Sequence, residues 1–504
     1  MIRPKHILTG LIVAGLLAPI TRTANAQSGA GTVRFSRRTD PSFNADSWSQ
    51  QWLQQHFSRM EVYSPYFDSR NSWYPNALVY VNAYAIYTNS SLVWEHPEWI
   101  LKDSYGNRVY IPWGCSGGTC PQYAADTSNP AYRNYWMSRT AGILNNGYKG
   151  LFIDDVNMEF RIGDGWGNFV NPIDPNTGGA MSWDNWRRYM AEFMEQVRWS
   201  FPNYEIVHNA IWFAGPSGVR DQDSYIRRQQ AAANYQYIEF GVNDGGLTGG
   251  DGIWSLNSIL GYIDRLHWIG KGAMLSGVPG DQWGREYAVA NYFLVSSGMD
   301  GLDDSVTTPS NWWAGFEVNL GSPSGARYTW NNLLRRDFSG GMVLVNPPQS
   351  GTVTVSLPGS YKRVDGTWVS SITLQAKQGV VLLPTAATGT TSGTTTSTST
   401  STTTTSTSTT SKSGSISVQI TTPGSGWTLA RGPLQLGAQA SGAALVHFYL
   451  NGVWIGTASG SGPGYDVWCN LANWGPGWYT LTAVADDGVG HTATAPQQVQ
   501  LNLQ

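Results

Sequence analysis

Two adjacent carboxylates, Asp154 and Asp155, close the apolar run Gly150-Leu151-Phe152-Ile153 in a chain of 504 residues. The run has strand character, and it stops on acid. Aspartate is almost never fully buried unless it is paired, so a pair at this position points to chemistry or to a metal more than to packing. The plainer reading is a loop carboxylate that caps the next element. A further carboxylate, Glu239, lies in Tyr237-Ile238-Glu239-Phe240-Gly241. Carboxyl groups supplied by separate strands match what glycosidic-bond hydrolysis requires. One protonates the leaving oxygen, and the other attacks the anomeric carbon or activates a water. The apolar neighbours of Glu239 suit a general acid.

Such groups need a frame that brings strand ends together. Strand-like runs are read at Met60–Pro65, Ala77–Ala85, Gln122–Asp126, Gly150–Asp155, Glu205–Ala210, Tyr237–Val242, Ala273–Gly277 and Gly301–Asp304. Helical spacing appears between several of them. It is clearest over Trp183–Ser200, where Trp186, Tyr189, Met190, Phe193 and Val197 recur on one face. Ser255–Ile269 and Arg285–Ser297 read as two more helices. This alternation predicts an α/β chain, a (β/α)8 TIM barrel over residues 32–338. In such a barrel, residues at the C-terminal ends of the strands line the active-site mouth. The candidates there are Asn82 and Tyr84 on the second strand, Asp126 on the third, His208 and Asn209 on the fifth, and Asp303 and Asp304 on the eighth. All are read as substrate-positioning groups. His208 reads equally well as a structural histidine, and Asp303 and Asp304 as ligands of a sugar hydroxyl or a Ca²⁺ ion. Side chains alternate along a strand, so only one of Asp154 and Asp155 can face the barrel axis. Asp154 is the expected one, with Asp155 bonding a neighbour.

HExxH and phosphate-binding glycine-loop patterns do not occur, nor does EF-hand spacing. No metal and no cofactor are expected. The loop carrying Gly245-Gly246 and Gly249-Gly250 reads as a lid or as a plain connection.

Three runs stand out together: Gly147-Tyr148-Lys149-Gly150-Leu151-Phe152-Ile153-Asp154-Asp155-Val156, Asp126-Thr127-Ser128-Asn129-Pro130-Ala131-Tyr132-Arg133-Asn134-Tyr135-Trp136 and Arg335-Arg336-Asp337-Phe338-Ser339-Gly340-Gly341-Met342-Val343-Leu344-Val345-Asn346-Pro347. They resemble, in that order, the fourth-strand motif, the third-strand exit and the entry into the C-terminal β domain of hypothetical glycosyl hydrolase family 15, a group of TIM-barrel enzymes. The resemblance spans about Phe35 to Leu383 and implies a sugar-cleaving barrel, without specifying the sugar. By analogy with related barrels acting on α-linked sugars, it implies Asp154 as nucleophile and Glu239 as acid/base in a retaining mechanism.

Composition sets the surroundings. Net charge is −3 with no long basic run, which argues against a nucleic-acid partner. Trp and Tyr are abundant, 24 and 25 residues, and loop-like cases such as Trp183 and Trp312-Trp313 are candidates for stacking on sugar rings. Arg3 and Lys5, the apolar run Ile7 to Ile20, and Ala24-Asn25-Ala26 read as a secretory signal peptide over residues 1–26. A secreted protein without stable membrane insertion is expected, with a poly- or oligosaccharide as its partner. In an oxidising compartment Cys115 and Cys120 are expected to form a disulfide, and a zinc site is the weaker alternative. Cys469 reads as a buried thiol.

Residues 339–385 have the short-strand pattern of a small antiparallel β domain, with Asp365-Gly366 as a hairpin turn. Residues 386–413 are almost wholly Thr, Ser and Gly and read as a solvated linker. Residues 414–504 alternate as an immunoglobulin-like β-sandwich. Its Trp454, Trp468, Trp474 and Trp478 could form a glycan-binding strip, or could be core residues of a spacer. The alternative to an enzyme is a non-catalytic carbohydrate-binding or cell-surface adhesion protein on the same barrel.

Overall fold

The structure is a computed structural model. It describes residues 29–384 except 217 and 218, and residues 416–504 except 444, 452, 460–463, 472–473, 487–491 and 496–498. The expected signal peptide and linker lie outside the described residues.

Eight parallel strands close into a barrel: β1 Phe35–Arg38, β2 Arg59–Val62, β3 Ala77–Asn82, β4 Gly150–Asp154, β5 Glu205–Asn209, β6 Tyr235–Ile238, β7 Gly272–Leu275 and β8 Gly301–Asp304. β1 closes the ring by pairing with β8 through Phe35 and Leu302, and with β2 through Ser36 and Arg59. Among the described residues, six α-helices longer than one turn sit between strands: α1 Gln50–His56, α2 Pro130–Leu144, α3 Trp183–Ser200, α4 Ser224–Ala232, α5 Leu256–Trp268 and α6 Gln282–Val295. The β2–β3 connection carries only the 3₁₀ turn Asp68–Ser72.

Two strand assignments change from the sequence reading. The first stave is Phe35–Arg38, whose short, arginine-rich sequence gives no apolar run. Gln122–Ala124 is not a stave; it pairs antiparallel with Ala85–Tyr87 outside the barrel. Asp126 therefore ends no barrel strand.

Helix α3 shows why these residues fold as they do. Ser182 caps it by accepting from the Asn185 N–H, satisfying one of the donors that a helix start leaves open. Trp186, Tyr189, Met190, Phe193, Met194 and Val197 are buried on its inner face. The strands divide their side chains by alternation. Leu151, Ile153 and Ile206 face outward into the core shared with the helices. Leu78, Phe152, Val207, Tyr237 and Met274 pack inside the barrel, with Tyr80 and Tyr235 against them. Continuing each inward series toward the C-terminal end leads from this plug to the polar side chains above it.

A six-stranded sheet follows the barrel in the order Tyr328–Trp330, Leu333–Phe338, Gly341–Asn346, Gln378–Pro384, Val353–Arg363, Trp368–Leu374. Its first two strands occupy residues that the sequence reading placed in the barrel. The sheet packs on α6, where a Cβ at Gly379 would stand 2.8 Å from the Ala290 Cβ. Arg363 donates to Glu286 of α6 at 2.8 Å. The C-terminal region forms two further sheets that enclose a core of its own, including Val446, Phe448, Leu481, Leu501 and the buried Cys469. Among the described residues no helix is long and apolar enough to cross a membrane.

Candidate active site

A cleft of about 860 Å³ opens at the C-terminal ends of the strands. Asp154, Asp155, Asn209 and Glu239 all line it, together with Arg38, Glu61, Tyr63, Tyr80 and Trp113. Strand parity accounts for most of this set. Phe152 faces inward, and two residues later so does Asp154. Tyr237 leads in the same way to Glu239, and Val207 to Asn209.

Asp154 is held by three donors. Tyr80 Oη donates to Oδ2 at 2.7 Å, Asn209 Nδ2 to Oδ1 at 2.8 Å, and the Asp155 N–H to Oδ1 at 2.9 Å. Such charge-assisted bonds fix the orientation of a carboxylate. Asp155 reaches the cleft differently. Its φ of 57° turns the chain off the strand, a conformation that a non-glycine residue pays for in strain. Its carboxylate accepts from Asn82 Nδ2 at 2.6 Å and from Asn157 Nδ2 at 3.2 Å. Burial, and then the charge of Asp154, push the Asp155 pKa up to about 7, with the Asn82 and Trp113 hydrogen bonds opposing.

Glu239 follows β6 directly. Its side chain is 47% exposed and meets Arg38 Nη1 at 3.4 Å, so its surroundings are open and charged rather than apolar as expected. Phe240, next in sequence, has a φ of 60° and is 59% exposed. This turn is packed against the end of β7. A Cβ at Gly277, itself at a φ of 77°, would stand 2.7 Å from the Phe240 Cα. The backbone around Glu239 is therefore fixed although its side chain is open to solvent.

Two functional candidates escaped the sequence reading. Glu61, in β2, is buried at the cleft wall, and its Oε2 has no hydrogen-bond partner. Burial and then the charges of Asp303 and Asp154 raise its pKa well above the usual carboxyl range. A charged residue inside the strand-like Met60-Glu61-Val62 was the available signal. Like Arg161, Arg38, the last residue of β1, lines the cleft as a cation. Burial works against its charge, but Tyr237, Glu61, Asp303 and Glu239 outweigh it and hold the guanidinium above its ordinary value.

The remaining expected residues divide by placement. Asn82 positions Asp155. Tyr84 is fully buried, and its hydroxyl donates to the Arg161 carbonyl at 3.4 Å. Asp126 is buried in a turn and accepts from the Ser128 N–H and hydroxyl. His208 points outward by strand parity and bonds Gln229 of α4 at 2.8 Å. Burial, reinforced by Arg198 and Lys271, lowers its pKa to about 3, which makes it a neutral structural histidine. Asp303 lies beneath the cleft and accepts from Tyr237 Oη at 2.8 Å; burial raises its pKa to about 7. Asp304 closes a turn by accepting from the Val306 and Thr307 N–H groups. Tyr84, Asp126, His208, Asp303 and Asp304 thus do not line the cleft.

Of the aromatics singled out earlier, Trp312 packs in the Phe35–Trp52–Phe316 cluster and Trp183 stacks on Phe160. The cleft's rings include Tyr63, Tyr80, Trp113, Trp212, Phe213 and Phe240. The glycine loop after β6 is tied to the small β sheet, where Lys377 Nζ donates to the Asn243 carbonyl at 2.9 Å. Cys115 and Cys120 form a disulfide. Among the described residues, no group of three or more His, Cys, Asp or Glu side chains could hold a metal ion.

No curated protein matches this sequence. Among solved structures, the chain is similar to the glycoside hydrolase domain of PelA from Pseudomonas aeruginosa, at 14% identity over 56% of this chain and 95% of that one, with a TM-score of 0.33. It is similar to an alpha-amylase from Lactobacillus plantarum at 12% identity over 71% and 99%, TM-score 0.38. A third is the trehalose-6-phosphate hydrolase TreA of Bacillus licheniformis, at 10% identity over 70% and 99%, TM-score 0.39. Residues 57–342, more than half of the sequence, match the hypothetical glycosyl hydrolase family 15, and the chain belongs to that family.

Proposed function

We propose that this glycoside hydrolase cleaves a poly- or oligosaccharide outside the cell by a retaining mechanism, with Asp154 as nucleophile and Glu239 as acid/base. The observation that carries the reading is the aiming of Asp154. Three donors orient it into a cleft that Glu239 enters from a strand two places away. In the first step, Glu239 gives its proton to the glycosidic oxygen as an Asp154 oxygen bonds to the anomeric carbon and the leaving sugar departs. In the second, Glu239 takes a proton from water, whose oxygen displaces Asp154 and frees the sugar. Arg38 stands beside Glu239, with Nη1 3.4 Å from its carboxylate. Glu61, with an unpartnered oxygen on the wall, is placed to bond a sugar hydroxyl. Leaving such an atom without a partner costs about 1–3 kcal/mol, which a bound hydroxyl would return.

A second assignment has a specific observation in its favour. The Asp155 carboxyl, held near pKa 7, has the poise of a general acid, and it could protonate the leaving group in place of Glu239. Export is supported by the N-terminal sequence and by the Cys115–Cys120 disulfide.

The test is a screen of purified enzyme against a polysaccharide panel, with the first-formed product anomer followed by NMR. Retained configuration supports the double displacement. An inverted first product would show that water attacks directly and that Asp154 is not a nucleophile. On an aryl glycoside of the cleaved sugar, a good leaving group should rescue Glu239→Gln if Glu239 is the acid, and Asp155→Asn if Asp155 is.

A further inference from the structure

Trp113 lies two residues before the disulfide-closed turn Cys115–Cys120. It is 47% exposed and lines the cleft. It also reaches Asp155, whose negative charge it helps to hold. The Arg161 guanidinium stands over its ring at 6.0 Å.

On the other side of the turn is Trp166, in the β4–α3 loop. Its indole lies across Gly118, where an added Cβ would stand 2.5 Å from the indole Cζ2. Gly118 has a φ of 83°, so the position needs glycine both for its backbone and for the ring above it. The other face of the indole is open, and Trp166 is 73% exposed. Its backbone is fixed. Asp164 accepts from the Trp166 and Asn168 N–H groups at 2.7 and 3.2 Å, and from Asn168 Nδ2 at 2.8 Å. The loop is joined to the segment before Trp113 by reciprocal bonds between Tyr110 and Gly163 at 2.9 and 2.8 Å.

A lone exposed tryptophan needs no explanation. An indole spread flat on a tethered glycine, on the same turn as a ring of the cleft, is a different case. A pinned ring loses little freedom on binding, so stacking on the apolar face of a pyranose meets a small entropic cost. The chain runs from Trp113, which lines the cleft with Asp155, straight into the turn beneath Trp166.

We propose that Trp113 and Trp166 are sugar-stacking positions that extend the cleft across the Cys115–Cys120 turn, so that the enzyme grips a polysaccharide chain beyond the bond it cuts. This rests on the cleft being the hydrolytic site. The enzyme then acts within a polymer or from a long end, and its preference for long chains resides in Trp166.

The experiment compares wild type, Trp166→Ala, Trp166→Phe and Gly118→Leu as full chains. Soluble starch, dextran, pullulan, xylan and mixed-linkage β-glucan serve as polymers, each beside its own trisaccharide. For the polymer that wild type cleaves, the ratio of kcat/KM on polymer to kcat/KM on trisaccharide should fall about tenfold in Trp166→Ala, through KM. Trp166→Phe should restore most of it, and Gly118→Leu, which displaces the ring, should lower it. If wild type is active and Trp166→Ala keeps the wild-type ratio, the extended site is overturned while the cleft assignment stands. If wild type cleaves neither polymers nor trisaccharides, the cleft reading fails and takes this inference with it.

Discussion

Replacing Asp155 with Asn should make the stability of the barrel less sensitive to pH. The Asp155 carboxyl is lifted from 3.8 to about 7 by burial and by the charge of Asp154. In the unfolded chain it returns to about 3.9. Between those values the folded protein keeps a proton that the unfolded chain has released. The stability contributed by this group is therefore complete in acid, below about pH 4, and is lost as the pH rises through 7. The whole shift corresponds to about 4 kcal/mol, of which roughly 2.6 kcal/mol falls between pH 5 and pH 8. Asn does not titrate. Its altered hydrogen bonding to Asn82 and Asn157 costs the same at both pH values and cancels in the difference. Relative to wild type, Asp155→Asn should thus gain roughly 2–3 kcal/mol between pH 5 and pH 8. Calorimetry would read this as a shift of several degrees in the melting midpoint of the barrel. Glu61 and Asp303, also raised, remain in both proteins. A gap between the two proteins that does not change with pH would refute the reasoning.

Other outcomes follow from the same geometry. Tyr80→Phe and Asn209→Ala each remove one donor from Asp154 and should each lower kcat about 10- to 100-fold, as loss of a hydrogen bond to a charged group does; unchanged kcat in both would show that the donors do not aim the nucleophile. Glu61→Gln copies a protonated carboxyl, so it should keep KM within about threefold of wild type, whereas Glu61→Ala should raise KM about tenfold; equal losses in both variants would mean that the ionised form is needed. Deleting the residues after Ser413 should reduce retention on insoluble polysaccharide and spare turnover of soluble substrate. Unchanged retention would leave the C-terminal module as a spacer.

The barrel was legible because its staves repeat a simple pattern, but two features were hidden for physical reasons. Phe35-Ser36-Arg37-Arg38 is a stave whose arginines serve the interior. Arg37 donates to the Thr307 and Ser305 carbonyls, and Arg38 faces the cleft acids. Charge of this kind is invisible to a search for apolar runs. Gln122–Ala124 has true strand character, yet its partner is the short strand Ala85–Tyr87 outside the barrel, and partnership is not written in local alternation. The same limit governs the site. Parity along a strand separates Asn209 from His208 and aims Asp154 along the inward series of Phe152. It gives no warning that the chain turns at Asp155 and brings that carboxyl into the cleft as well. Glu61 was obscured by its apolar neighbours, and the Trp166 platform depends on two loops meeting, which no short stretch encodes. In the C-terminal module, Trp478 is exposed and Trp474 packs edge-on against Tyr479 at 5.2 Å, while the side chains of Trp454 and Trp468 lie outside the described residues.

The most direct measurement is kcat for Asp154→Asn and Glu239→Gln on the polysaccharide that wild type cleaves, with melting midpoints taken in parallel. Both variants should lose at least about a thousandfold in kcat, more than the 10²–10⁴-fold range of a single proton-transfer group at its lower end, while melting as wild type does within a few degrees. Near-wild-type turnover in either one, with the fold intact, would contradict its place in the hydrolytic pair.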